Sequence, residues 1–205
     1  MVAAAAQPVR AFIAIALEPG WILVLKQVQR QFQTGLPEDA VRWVRAEQIH
    51  LTLRFLGNVS RDCLAALTVA LKRASAGIAP FQLALAGVGS FPDTKNPRVV
   101  WVGIKGQLDP LRRLQAQVER EMRGFGDHHE ERIFQPHLTI GRVKAHGKMA
   151  RNVGELVERV AVRNPGELLV RQIHLVQSEL ALEGARYTML GTAPLIDADA
   201  NIAQP

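Results

Sequence analysis

The sequence predicts an α+β fold in which helices cover sheets that are largely antiparallel. Strand-like and helix-like segments alternate along the chain, and adjacent strand pairs are mixed with longer helical crossovers. No linker divides the 205 residues, a length that suits one domain or two small lobes sharing a core. With 48% hydrophobic and 21% charged residues, the chain has enough apolar material to bury a core, which excludes intrinsic disorder for its body.

Eight segments are expected to form strands because they are apolar or alternate between apolar and polar residues. These segments are residues 10–17, 41–45, 49–56, 81–88, 98–104, 137–144, 168–180 and 185–190. We expect Gly57-Asn58 to close one of these strands and Gly89-Ser90-Phe91-Pro92 to break another, because glycine and proline interrupt regular structure.

Four segments have the pattern of helices. They are residues 21–32, 60–73, 109–123 and 150–160. Apolar residues recur at helical spacing from Trp21 to Phe32, Ser60 stands at an N-cap position, and Pro110 occupies the first turn of the third helix.

Composition excludes several classes of protein. Cys63 is the only cysteine, so a disulfide framework and a cysteine-based zinc site are excluded, and its spacing on the predicted helix favours a core position. The longest apolar run, residues 11–17, is too short to span a membrane. We expect a cytoplasmic monomer with one domain over residues 1–191 and a loosely ordered tail over residues 192–205. A net charge of +6 permits a polyanionic ligand such as nucleic acid without requiring one.

A short motif occurs twice and is the most informative feature of the sequence. His50-Leu51-Thr52-Leu53 recurs as His137-Leu138-Thr139-Ile140, 87 positions later, and both copies lie in strand-like segments. Residues i and i+2 of a strand point to the same face, so each histidine projects together with its threonine, while the aliphatic residues face a core.

Two such pairs facing each other are suited to phosphoryl chemistry. Imidazole titrates near neutral pH and can give or accept a proton, and a threonine hydroxyl can donate to an oxyanion beside it. In-line displacement at phosphorus needs a base for the incoming oxygen and an acid for the leaving oxygen. A single H-x-T is common by chance; two copies of the same tetrapeptide pattern are not.

The chain resembles the 2H phosphoesterases, and most closely the RNA 2′,3′-cyclic phosphodiesterases historically called 2′-5′ RNA ligases. Besides the two motifs, the resemblance rests on ordered segments along nearly the whole chain. These segments are residues 10–15, 54–57, 89–92, 97–101, 134–136, 141–142, 178–180 and 184–187. One departure is Ile140-Gly141, where leucine and often alanine would be expected before the arginine.

The resemblance implies a bilobal fold with two pseudo-symmetric lobes, each of which contributes one H-x-T to a central cleft. It also implies hydrolysis of an RNA 2′,3′-cyclic phosphate to a 2′-phosphate, with no metal and no cofactor. His50 is then the proton donor to the 3′-oxygen and His137 the base that activates water. Thr52 and Thr139 hold the non-bridging oxygens. The expected partner is RNA with a cyclic phosphate end, tRNA fragments included.

Four further residues are candidates for substrate binding. Arg142 corresponds to a basic family position at the phosphate, although strict alternation would turn it to the core face, so a bulge or strand end is needed. Arg54 is two residues after Thr52 and is therefore expected on the same strand face as the motif. It could bind the phosphate or be a solvated residue at the rim. Tyr187 and Phe91 could stack on a base, and packing is the alternative for each.

Other titratable residues are assigned no chemical role. His128-His129-Glu130-Glu131 is interpreted as a solvated loop because it lacks a metal-binding pattern, and His146 and His174 are interpreted as structural. Lys144, Lys148 and Arg151 could contact an RNA backbone or simply be solvated.

Three alternative functions stay open. The first is a 2H enzyme that acts on another small cyclic phosphate or joins RNA ends through a 2′-5′ linkage. The second is a non-catalytic RNA-binding module, against which the two intact histidines argue. The third is a metallophosphodiesterase, which chelator sensitivity would separate from the others.

Overall fold

The computed structural model describes residues 7–128, 132–163, 165–181 and 184–197. Over these residues it contains nine strands and four α-helices, with short 3-10 turns at Ala46–Gln48 and Arg61–Cys63. In chain order the elements are β1 (Val9–Ile15), α1 (Pro19–Gln33), β2 (Val41–Trp43), β3 (Leu51–Val59), α2 (Leu64–Ser75), β4 (Phe81–Phe91), β5 (Val99–Gly106), α3 (Leu108–Glu121), β6 (His137–Val143), α4 (Gly147–Arg159), β7 (Leu168–Val170), β8 (Gln172–Ala181) and β9 (Gly184–Pro194).

The strands form two sheets, and neighbouring strands in each sheet run antiparallel. Sheet A has the order β3-β1-β8-β9, and sheet B has the order β2-β6-β5-β4-β7. Helices α2 and α3 contact sheet A, whereas α1 and α4 contact sheet B; α3 also contacts β4 of sheet B. Each sheet with its two helices is a lobe, and the predicted α+β, bilobal fold is confirmed.

The helices are amphipathic as their spacing predicts, and their apolar faces cover the sheets. On α1 the buried apolar residues are Trp21, Val24, Leu25, Val28 and Phe32. None of the described helices is long and apolar enough to cross a membrane.

Two strands continue past the glycines that were expected to end them. β3 runs on to Val59 because Gly57, with φ of +71°, takes part in a bulge opposite β1 and does not turn the chain. β4 continues to Phe91 and stays paired with β5 over Gly89 and Ser90.

The segment expected to be one strand over residues 168–180 is two strands in different sheets. β7 pairs with β4 in sheet B, and β8 pairs with β1 in sheet A. The buried apolar residues are at even positions in β7, Leu168 and Val170, and at odd positions in β8, Ile173 and Leu175. Such a switch shows that the chain buries its opposite face after β7.

The C-terminal segment is ordered beyond the expected start of the tail at residue 192. β9 extends to Pro194, Leu195 is buried, and Ile196 forms a parallel bridge with Ala76. The rest of the predicted tail, residues 198–205, lies outside the described residues.

At the N-terminal end of α2 a 3-10 turn comes first, and the Ser60 side chain makes no capping hydrogen bond. Cys63 is half-buried and packs against the core.

Candidate active site

A cleft of about 830 Å³ lies between the two sheets and is lined by residues of both. Six of the eight predicted site residues line it. They are His50, Thr52, His137, Thr139, Arg142 and Tyr187. The two remaining residues, Phe91 and Arg54, are not among its lining residues.

The two H-x-T motifs face the cleft because of strand alternation. In β3 and the residue before it, Leu51 and Leu53 are buried, while His50 and Thr52 are half-buried at the cleft. In β6, Leu138 and Ile140 are fully buried. The aliphatic positions therefore anchor each strand in its lobe and leave the polar positions turned to the same space.

Both imidazoles are held by the same local hydrogen bond. His50 Nδ1 lies 2.8 Å from the carbonyl oxygen of Gln48, and His137 Nδ1 lies 2.7 Å from that of Gln135. A carbonyl can only accept, so Nδ1 carries the donated proton in each ring. Nε2 of each histidine is then the atom left for a ligand, as a base in the neutral ring and as an acid in the protonated ring.

Aromatic rings fix the planes of the two imidazoles. Phe12 stacks on His50 with ring centroids 4.5 Å apart, and the edge of Tyr187 approaches the same ring at 5.4 Å. On the other lobe, Phe91 meets His137 edge to face at 4.9 Å. Phe91 therefore packs against a candidate catalytic ring, which favours the packing alternative for this residue over base stacking.

Burial makes the neutral form of both histidines more favourable. It lowers the pKa of His50, and the Gln48 carbonyl offsets part of that effect. It also lowers the pKa of His137, where the Gln135 carbonyl opposes the change and the charge of Arg132 adds to it. The pKa of the Tyr187 phenol is raised by burial, against the nearby charges of Arg142 and Arg10, so this hydroxyl keeps its proton at neutral pH and can donate a hydrogen bond.

Arg142 reaches the cleft because β6 contains the bulge that the sequence required. Val100 pairs with Gly141 and Trp101 pairs with Thr139, which leaves Ile140 as an extra residue. The extra residue reverses the alternation, and Arg142 is exposed on the cleft side.

A buried glutamine that the sequence analysis did not single out holds this bulge. Gln29 Nε2 donates to the carbonyl oxygens of Ile140, at 2.9 Å, and Val44, at 2.7 Å. The sequence feature that could have marked Gln29 is its position on α1, four residues after Leu25, where it is a polar residue within an otherwise apolar face.

Arg54, the other arginine predicted to bind substrate, does not line the cleft. A register shift between β1 and β3 leaves Leu53 unpaired, and Arg54 is turned to the helix side, where it is buried. Its guanidinium forms an ion pair with the Glu119 carboxylate and donates to the Glu119 carbonyl oxygen at 3.0 Å. The same kind of bulge that brings Arg142 into the cleft takes Arg54 out of it.

Further polar residues line the cleft without having been predicted. They are Arg10, Arg42, Arg45, Gln48 and Ser178. The side-chain amide of Gln48 also donates to the carbonyl oxygen of Ala185, which ties the His50 support to β9. Arg10 and Ser178 lie in segments that carry the family resemblance, but no local pattern marks any of the five as a cleft residue.

The other histidines that the structure describes, His128, His146 and His174, lie outside the cleft lining. His174 is buried, with Nδ1 3.1 Å from Thr192 Oγ1, as fits a structural residue. His146 immediately precedes α4. His128 approaches the Phe55 ring, and residues 129–131 of the predicted loop lie outside the described residues. Within the described part of the chain, no three His, Cys, Asp or Glu side chains are grouped to hold a metal ion.

Known proteins share this architecture. The sequence matches the LigT-like phosphoesterase family over residues 22–101 and 102–187. It is 38% identical over 160 residues to the RNA 2′,3′-cyclic phosphodiesterase of Aeropyrum pernix, covering 77% of this chain and 86% of that protein. It is 33% identical over 183 residues to the RNA 2′,3′-cyclic phosphodiesterase of Methanothermobacter thermautotrophicus, covering 88% of this chain and 95% of that protein.

Solved structures agree with the sequence match. The fold is similar to that of TT0787 from Thermus thermophilus, with a TM-score of 0.71 and 28% identity over 91% of this chain and 97% of that one. It is also similar to E. coli LigT complexed with 3′-AMP, with a TM-score of 0.65 and 28% identity over 92% of this chain and 99% of that one. The chain belongs to the LigT-like phosphoesterase family.

Proposed function

We propose that this protein hydrolyses the 2′,3′-cyclic phosphodiester at the end of an RNA to a 2′-phosphomonoester by metal-independent acid and base catalysis. The observation that carries the proposal is the pair of imidazoles in one cleft, each held through Nδ1 by the carbonyl two residues before it. The names of the relatives from A. pernix and M. thermautotrophicus support the choice of substrate.

The proposed reaction is an in-line displacement by water. The water oxygen attacks phosphorus while His137 Nε2 accepts one of its protons. The bond from phosphorus to the 3′-oxygen breaks, and protonated His50 gives its Nε2 proton to that oxygen. The products are a 2′-phosphomonoester and a 3′-hydroxyl, and proton exchange with solvent restores both imidazoles.

Three residues are proposed to stabilise the charge on phosphorus. Thr52 and Thr139 are at the cleft beside the histidines and donate to the non-bridging oxygens. Arg142 provides a positive charge for the same group, and its guanidinium can make two parallel hydrogen bonds to a phosphate. The bound anion also favours the protonated form of His50, which offsets the effect of burial on this acid.

Tyr187 is proposed to orient the nucleoside. Its ring lines the cleft and approaches both His50 and Phe12, with Tyr187–Phe12 centroids 5.2 Å apart. A rigid aromatic wall beside the acid supplies a stacking surface for a base. Such an asymmetric feature is needed because two similar histidines do not by themselves select which oxygen leaves.

The experiment is hydrolysis of a mononucleotide 2′,3′-cyclic phosphate with EDTA present, followed by phosphorus NMR against authentic 2′- and 3′-nucleotides. We expect turnover in the chelator and a 2′-phosphate product. A predominant 3′-phosphate would reverse the acid and base assignment, and activity that requires an added divalent ion would overturn the metal-independent mechanism.

A further inference from the structure

Arg42 and Arg142 form a like-charged pair across two neighbouring strands. They are directly opposite each other in the antiparallel pairing of β2 with β6, and both line the cleft as exposed residues. Like charges in this relation destabilise a sheet. Over the described residues, neither arginine has an acidic partner that would offset the repulsion.

The surroundings of this pair are positive as well. Arg10 and Arg45 also line the cleft, and no Asp or Glu is found among its described lining residues. The reacting cyclic phosphate carries a single negative charge, which Arg142 can meet. The charge of Arg42 is therefore available for a second anion of the same ligand.

The position of Arg42 indicates where that second anion lies. β6 carries His137, Thr139 and Arg142, whereas β2 is the edge strand of sheet B, one strand farther out. Opposed residues on adjacent strands have Cα atoms roughly 5 Å apart, and an arginine side chain extends well beyond that distance. Arg42 can thus reach a phosphate adjoining the one held by Arg142.

We propose that Arg42 is a second phosphate subsite that binds the phosphodiester on the 5′ side of the terminal nucleoside. The inference rests on the proposed function and extends it from the cyclic end to the chain that carries it. The protein then acts on oligoribonucleotides ending in a cyclic phosphate in preference to a mononucleotide cyclic phosphate, which has no such second phosphate.

The test compares two substrates, adenosine 2′,3′-cyclic phosphate and the dinucleotide ApA ending in a 2′,3′-cyclic phosphate. We expect Arg42→Gln to lower kcat/KM for the dinucleotide about tenfold, the order expected for one charge-assisted phosphate contact, and to change the mononucleotide value less than about twofold. KM for the dinucleotide should also rise less steeply with salt in Arg42→Gln than in the unmodified protein, because one screened charge contact is missing.

Arg113→Gln is the matched control, because Arg113 is exposed on α3 and is not among the lining residues of the cleft. It makes the same change in net charge and should leave kcat/KM for both substrates and the salt dependence of KM unchanged. An equal effect of Arg42→Gln on the two substrates, or no effect on either, would overturn the subsite while the proposed function stands. Failure of the unmodified protein to turn over either substrate would overturn both.

Discussion

The ion pair between Arg54 and Glu119 is expected to stabilise the fold and to take no part in substrate binding. The Arg54 side chain is 8% exposed and that of Glu119 is 34% exposed. Removing one partner of a buried pair leaves an uncompensated charge and costs about 3–5 kcal/mol. Because the Glu119 side chain is partly exposed to water, the loss should be at or below the lower end of that range. We expect Glu119→Leu to lower the free energy of unfolding by about 2–3 kcal/mol.

Arg54→Met should cost less than Glu119→Leu although it deletes the same pair. It removes the buried charge itself, keeps an apolar stem, and eliminates the Arg54 Nε, which is buried without a hydrogen-bond partner. We expect Arg54→Met to lower the free energy of unfolding by about 1 kcal/mol. The loss of stability in the double variant should be closer to that of Arg54→Met alone than to the sum of the two single losses.

The assay is urea unfolding at pH 7 followed by circular dichroism, together with kcat/KM on a mononucleotide cyclic phosphate. Arg112→Gln removes an exposed pair with Asp109 and serves as the control, with an expected change of about 0.5 kcal/mol or less. A tenfold loss of kcat/KM in a stably folded Arg54→Met protein would refute the assignment of Arg54 to the fold. A larger destabilisation by Arg54→Met than by Glu119→Leu would refute the energetic reasoning.

Two further predictions concern the site itself. Burial lowers the pKa of both histidines below about 6.5. The base His137 is protonated and inactive at pH below its pKa, and the acid His50 is deprotonated and inactive at pH above its own. The bell-shaped profile of kcat/KM should therefore peak below about pH 6.5, and a maximum at pH 8 would contradict this. Gln29→Leu should lower the free energy of unfolding by about 1–3 kcal/mol through the loss of one buried and one partly buried hydrogen bond, and should raise KM through Arg142. In an Arg142→Gln background the effect on KM should vanish and the effect on stability persist; a persisting effect on KM would mean that Gln29 does not act through the bulge.

The repeated motif could be predicted from the sequence because alternation in a strand is a local property. Leu51 and Leu138 fix which face is buried, so the faces of the two histidines follow without knowledge of the rest of the chain. The helix α1 was predictable for the same kind of reason, since its apolar spacing survives in the buried face from Trp21 to Phe32.

The bulges in β3 and β6 could not be predicted from local pattern. A single extra residue reverses every side chain beyond it, and neither Leu53 nor Ile140 differs in type from the regular positions around it. For that reason Arg54 was assigned to the wrong face. Arg142, which lines the cleft, was expected there only because the family resemblance outweighed its parity.

Which residues of the two lobes meet at the cleft could also not be predicted from the sequence pattern. Arg10 and Arg42 lie in different sheets, and only the fold brings them to the cleft that holds both motifs. Within residues 168–180 the apolar residues change from even to odd positions, which is visible in the sequence. That this change marks a division between two sheets becomes clear only from the strands that each half pairs with.

The most direct test of the two-histidine mechanism is single-turnover hydrolysis of a mononucleotide 2′,3′-cyclic phosphate by His50→Asn and His137→Asn, with EDTA present and folding checked by circular dichroism. Acid or base assistance contributes about 10²–10⁴-fold, so each variant should be slower by that factor while remaining folded. A folded His137→Asn protein with near-normal rate would contradict the account.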